Sequence, residues 1–72
     1  MAELSKGDRV SWVWGQGRAY GEVAEVHTEK VTRTLKGSQI TRNGSAEDPA
    51  LLLRQEDGTE VLKLASEVEQ ER

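Results

Sequence analysis

The fold is decided by residues 6–27, KGDRVSWVWGQGRAYGEVAEVH, where two alternating segments flank a glycine-containing turn. In the first segment Val10, Trp12 and Trp14 alternate with the intervening residues. This period of two, with β-branched and aromatic side chains, predicts a strand. We interpret residues 15–17, Gly-Gln-Gly, as a three-residue hairpin loop in which glycine takes the left-handed conformation.

The chain returns from this loop as a second predicted strand over residues 18–27. A three-residue loop would place Tyr20 on the same face of the hairpin as the two tryptophans. Val23 and Val26 differ in parity, so both point inward only if a bulge or sharp bend interrupts the strand near residues 24–25. In small barrels such a bend allows one strand to take part in two sides of the barrel.

The rest of the chain continues with short segments separated by turn-forming residues. Further strands are predicted at residues 30–35, 39–42, 51–53 and 60–63. The first of these, KVTRTL, also fits a short helix, but its three β-branched residues favour a strand. The hairpin over residues 30–42 has few apolar side chains, so we expect it to project from the body. Ser66 precedes Glu69 with the spacing of a capping box, which predicts one or two helical turns over residues 66–71.

These elements predict a mainly β fold, a small bent antiparallel SH3-like or Tudor-like barrel of five to six strands with a C-terminal helical turn. A chain of 72 residues with 35% hydrophobic residues has a marginal core and room for one domain. We expect this domain over residues 6–69, with a flexible N-terminus at 1–5 and a tail at 70–72. The predicted core consists of Val10, Trp12, Val23, Val26, Leu51, Leu53, Val61 and Val68.

Four motifs give the chain a specific resemblance. They are the opening KGDRVSWVWGQG, the middle HTEKVTRTLKG, TRNGSAEDPA with its acidic-proline loop, and the closing VLKLASE. With these motifs the chain resembles the hypervirulence-associated Tudor-like domains, a small bacterial and fungal family, over nearly its whole length. The resemblance implies an SH3-like or Tudor-like β-barrel and implies little about activity.

The charges are unevenly distributed. The chain has 10 basic and 13 acidic residues, a net charge of −3, whereas a nucleic-acid binder that relies on bulk charge should be basic. Between residues 30 and 46, however, there are four basic residues and no acidic ones: Lys30, Arg33, Lys36 and Arg42. This segment is either a solvated polar hairpin or an arm that contacts an anion or a partner.

The aromatic residues are Trp12, Trp14 and Tyr20. They serve as core, as a contact surface for a peptide or a base, or as a cage that holds a methylated amine by cation–π attraction. A cage would be incomplete, because the chain has no phenylalanine and nothing aromatic after Tyr20. We expect Trp14 to be the most exposed of the three, because it lies at the loop.

Catalytic and metal sites find little support. Cysteine is absent and His27 is the only histidine, flanked by Glu25 and Glu29 on the same side of a strand. One histidine with two carboxylates is a thin ligand set, and solvated charges look the same in a sequence. We therefore predict no catalytic residue, no metal and no cofactor. The lack of cysteine and of any apolar run of signal-peptide or membrane length favours a cytoplasmic protein.

We therefore predict a non-enzymatic module that binds a protein or peptide. The predicted contact residues are Trp14, Tyr20, Lys30, Arg33, Lys36 and Arg42. One alternative is a nucleic-acid-binding barrel, with the basic hairpin on phosphates and Trp14 or Tyr20 stacked on a base. Another is a structural homo-oligomer assembled by pairing of strand edges.

Overall fold

The computed structural model describes residues 4–71, and most of them lie in strands. The strands are β1 (Arg9–Trp14), β2 (Gly17–His27), β3 (Lys30–Leu35), β4 (Ser38–Asn43), β5 (Ala50–Arg54), β6 (Glu60–Leu64) and β7 (Glu69–Gln70). One 3-10 turn, Ala65–Glu67, joins β6 to β7. The predicted mainly β class is confirmed, with β7 as a short additional strand.

The strands form two antiparallel sheets. The larger sheet has the order β6-β5-β2-β1-β7, and β3 and β4 form a separate two-stranded sheet. The 3-10 turn bridges the two edge strands of the larger sheet, β6 and β7. These edges do not pair with each other within the described residues, so the barrel is not closed by hydrogen bonds. No helix in this part of the chain has the length and apolar character needed to cross a membrane.

The turn between β1 and β2 is one residue shorter than predicted. Trp14 pairs directly with Gly17, which leaves only Gly15 and Gln16 in the turn. Gly15 has a φ of 58°, in the left-handed region that favours glycine at the first central position of a two-residue hairpin. The predicted three-residue loop is wrong because Gly17 joins the ladder.

This difference of one residue changes the face on which Tyr20 lies. Tyr20 pairs with Ser11, and Trp12 pairs with Ala19. Because paired residues share a face and faces alternate along a strand, Tyr20 lies on the opposite face from Trp12 and Trp14. The prediction that one face carries all three aromatic side chains is therefore wrong.

The predicted bulge in β2 is present, but it does not bury both valines. The register between β2 and β5 shifts between Val23 and Glu25, and Val23 is fully buried. Val26 pairs with Leu51 but remains 37% exposed, so its prediction as a core residue is wrong. The reason is that β1 pairs with β2 only as far as Glu22, so the end of β2 has no neighbouring strand on that side in the described chain.

The first hydrophobic cluster lies on one face of the larger sheet and confirms most of the predicted core. Its buried members come from β1, β2 and β5, and Val61 and Val68 pack against it while partly buried. The buried members are Val10, Trp12, Val23, Leu51 and Leu53. Leu4 also packs against this cluster, whereas most of the N-terminus predicted as flexible, residues 1–3, lies outside the described residues.

A second cluster corrects the expectation that the hairpin of β3 and β4 projects from the body. Its buried members are Val31, Ala50, Leu52 and Leu62, with Leu35 and Ile40 of the hairpin packed against them. Burial alternates along both hairpin strands, so one face turns inward and the other, rich in threonine, faces solvent. The hairpin therefore covers the face of the larger sheet that lies opposite the first cluster.

The predicted helical turn is present as a single 3-10 turn with a different cap. The Glu67 carboxylate accepts a hydrogen bond from the Leu64 backbone N–H at 2.8 Å. Ser66 instead donates its hydroxyl and its backbone N–H to the two carboxylate oxygens of Asp48, at 2.7 and 2.8 Å. The predicted pairing of Ser66 with Glu69 is wrong because Glu69 belongs to β7.

Candidate partner-binding surface

Three large apolar side chains are exposed along the part of β2 that pairs with β1 and along β1 itself. Val13 is 67% exposed, Trp14 72% and Tyr20 52%. Val13 and Tyr20 share one face of the hairpin and Trp14 lies on the other, so the apolar surface wraps around both sides of its end. We call Val13, Trp14 and Tyr20 the tip surface.

The aromatic side chains do not form a cage. Trp12 is only 2% exposed and belongs to the first hydrophobic cluster. Trp14 and Tyr20 lie on opposite faces of the hairpin. The three rings therefore do not surround a common space, and only Trp12 serves as core.

The four basic residues of the second hairpin divide into two pairs. Arg33 and Arg42 alternate with the outward threonines and turn toward the body. Arg33 forms an ion pair with Glu25 at 2.7 Å, and Arg42 lies 3.8 Å from the Glu67 carboxylate. Arg42 also donates to the Leu62 carbonyl oxygen at 3.4 Å. Half of the positive charge of this hairpin therefore has partners within the chain.

Lys30 and Lys36 are the other two basic residues, and both are exposed. Lys36 has a φ of 52° and occupies the turn between β3 and β4 with Gly37. Apart from contacts between β3 and β4, this hairpin mainly contacts β6. The tip surface, in contrast, belongs to β1 and β2. The six predicted contact residues therefore form two separate groups, the tip surface aromatics and the basic hairpin.

The carboxylate of Glu25 is shared by two cationic or hydrogen-bonding partners. His27 Nε2 lies 2.7 Å from it, and Arg33 approaches to the same distance. The hydrogen bond with His27 is the main cause that lowers the pKa of Glu25 below its ordinary value; partial burial opposes this and Arg33 adds to it. Glu29 does not join them, and no three potential metal ligands come together in residues 4–71. This arrangement ties β2 to β3.

A polar network that sequence reasoning missed holds β7 against the first hairpin. Ser11 is fully buried; its hydroxyl donates to Glu71 at 2.6 Å and accepts from Arg18 at 2.8 Å. Arg18 also forms an ion pair with Glu69 at 2.6 Å. The available signal was the spacing of Glu69 and Glu71, since residues two apart share one face of a strand.

A bent antiparallel sheet of short strands whose edges are bridged by a 3-10 turn defines a small Tudor-like domain. The chain belongs to the family described as hypervirulence associated proteins TUDOR domain, whose model matches residues 7–68. Comparison with curated proteins and comparison with solved structures each give no match. The resemblance found in the sequence is confirmed, and membership of a Tudor family suggests a small binding module.

Proposed function

We propose that the chain is a non-enzymatic module that binds a protein or peptide partner through the tip surface. The exposure of Trp14, at 72%, carries this proposal. Tryptophan and tyrosine are enriched among the residues that dominate the energy of interfaces. A domain with so few aromatic residues would gain core by burying them, so their exposure beside Val13 favours a contact role.

The basic hairpin is the second part of the proposed contact surface, through Lys30, Arg33, Lys36 and Arg42. Arg33 and Arg42 keep about a third of their side-chain surface exposed, at 39% and 36%, while they are paired within the chain. A phosphate backbone would compete with Glu25 and Glu67 for these two arginines. Acidic side chains of a protein would compete in the same way, but the net charge of −3 disfavours the dense negative charge of a nucleic acid more than a protein partner with a few acidic residues.

The experiment compares substitutions on the two groups of residues in one binding assay. The purified full chain is immobilised, and proteins retained from a lysate are quantified with and without nuclease. Trp14→Ala should reduce retention of the main partner by tenfold or more, about the loss of a central aromatic contact. Thr34→Ala, on the outward threonine face of the second hairpin, is the matched control and should leave retention unchanged.

Three outcomes would overturn the proposal. Retention that disappears with nuclease and with Lys30→Glu would indicate nucleic acid as the ligand. A partner that consists only of further copies of the chain, detected by sedimentation, would indicate a homo-oligomer formed through strand edges. Equal retention by Trp14→Ala and by the wild type would remove the tip surface from the interface.

A further inference from the structure

The outer edge of β1 is only partly covered. Strand β7 pairs with Val10 and Ser11 alone, because the chain preceding it turns away into the 3-10 turn. Strand β1 continues for three more residues, 12–14, before the hairpin turn. Within the described residues no strand pairs with this part of the edge.

The register of the hairpin directs the backbone of Val13 toward this uncovered edge. In a two-residue hairpin the closing pair, here Trp14 with Gly17, exchanges backbone hydrogen bonds. Hydrogen-bonded and non-hydrogen-bonded pairs then alternate along the ladder, so Val13, the next residue of β1, points its N–H and C=O away from β2. Arg9 has the same parity as Val13, and its carbonyl oxygen accepts a hydrogen bond from Glu71 at 2.8 Å. Val13 therefore points its backbone N–H and C=O toward an incoming strand, on the same edge where the Arg9 carbonyl oxygen meets the end of β7.

This edge also lacks the protection that exposed strands usually have. Lysine, proline or a bulge commonly prevents pairing with other chains. None of these occurs at residues 12–14, and the side chains on the two faces beside the edge are the exposed Val13 and Trp14. The adjacent cation, Arg18, is directed to Glu69 and Ser11 instead.

Strand β7 reveals the chemistry that the covered part of the edge accepts. The Glu69 carboxylate accepts a hydrogen bond from Arg18 at 2.6 Å, and the Glu71 carboxylate, two residues later, accepts one from the Ser11 hydroxyl at 2.6 Å. Strand β7 runs antiparallel to β1, so a residue two positions before the first carboxylate would lie opposite Val13. In this chain that residue is Glu67, which caps the 3-10 turn and cannot reach the edge.

We propose that the β1 edge binds an extended acidic segment of the partner, which replaces β7 and continues alongside Val13. This rests on the proposed function, since it names the chemistry of the partner that the tip surface contacts. The segment carries an apolar residue followed at two-residue intervals by two carboxylates. It makes the contacts of β7 and adds two backbone hydrogen bonds at Val13, with contact between its apolar residue and the Val13 side chain. Strand β7 is thus an internal competitor for the same site.

The test uses the full chain and a synthetic peptide, acetyl-Thr-Val-Thr-Val-Thr-Glu-Thr-Glu-Thr-amide, whose last valine precedes the first glutamate by two positions. Titration followed by nuclear magnetic resonance gives the Kd, and hydrogen exchange reports the Val13 amide. We expect this amide to become protected at saturation. A peptide with both glutamates replaced by glutamine should bind about two to tenfold more weakly, the range for exposed ion pairs.

The decisive variant is the double substitution Glu69→Gln and Glu71→Gln, which weakens the competing strand. It should tighten peptide binding by about two to tenfold. The pair Glu29→Gln and Glu56→Gln makes the same change in net charge at exposed positions away from the edge and serves as the matched control. Competition between β7 and the peptide predicts that the first pair, and not the second, raises affinity.

The inference is overturned if the Val13 amide stays unprotected at saturation or if the Glu69 and Glu71 variant binds no better than its control. In either case the proposed function still stands if Trp14→Ala abolishes retention of the partner in the assay above. Conversely, protection of Val13 with unchanged retention by Trp14→Ala would support the strand site and reject the tip surface as the main contact.

Discussion

Replacement of Trp12 by alanine tests the central claim about the core. Trp12 is 2% exposed and packs with Val10, Val23, Leu51 and Leu53. Loss of a buried tryptophan side chain costs about 3 to 5 kcal/mol, including the cavity left behind. At about 0.05 to 0.15 kcal/mol per residue, a chain of 72 residues has a total stability of about 4 to 11 kcal/mol. Trp12→Ala should therefore remove a large share of the stability, and all of it if the total lies near the lower end of this range.

The assay is urea denaturation followed by circular dichroism, which avoids the change in tryptophan fluorescence that the substitution itself causes. Trp14→Ala is the matched control, since it makes the same chemical change at a side chain that is 72% exposed. We expect this control to lie within about 0.5 kcal/mol of the wild type. A Trp12→Ala protein that melts cooperatively with nearly unchanged stability, or an equal loss in the control, would refute the argument.

Three further predictions concern charge and backbone. Lys30→Glu should change the free energy of unfolding by no more than about 0.5 kcal/mol, whereas Arg33→Glu should cost more in urea melts because it replaces an ion pair with repulsion. Because the pKa of Glu25 is lowered in the folded state, its contribution is present above its ordinary value of 4.5 and is lost as pH falls below it. Melting temperatures between about pH 5 and 3 should therefore fall less steeply for Glu25→Gln than for the wild type. Gly21→Ala places a Cβ 2.9 Å from a backbone oxygen of β5 and should cost about 1 to 3 kcal/mol, while Gly17→Ala, in open space, should not destabilise the fold in the same melts.

The sequence predicted those features that depend on local alternation. Strand positions, the bulge before Glu25 and the burial of Trp12 and Val23 follow from a period of two and from the parity of neighbouring residues. Alternation does not determine the length of the turn between β1 and β2. Both Gly15 and Gly17 tolerate a turn conformation, and only the ladder shows that Gly17 pairs with Trp14.

The position of the second hairpin depended on a long-range contact that alternation alone does not give. Yet residues 50–53, Ala-Leu-Leu-Leu, are buried on both faces of β5, and such a continuous apolar strand needs a layer on each side. Val31, Leu35 and Ile40 provide the second layer. The paired arginines of that hairpin could not be predicted, because Glu25 and Glu67 approach them only after folding.

The length of the first turn also determines the kind of recognition that the hairpin supports. With a three-residue loop, Tyr20 and Trp14 would share a face and could flank one cation. With the observed two-residue turn, the rings lie on opposite faces and the Val13 backbone points out between them toward the open edge. An extended segment that adds to this edge places its alternating side chains on both faces, where it meets Val13 and Tyr20 on one side and Trp14 on the other. The geometry therefore favours recognition of a strand over capture of a single methylated side chain.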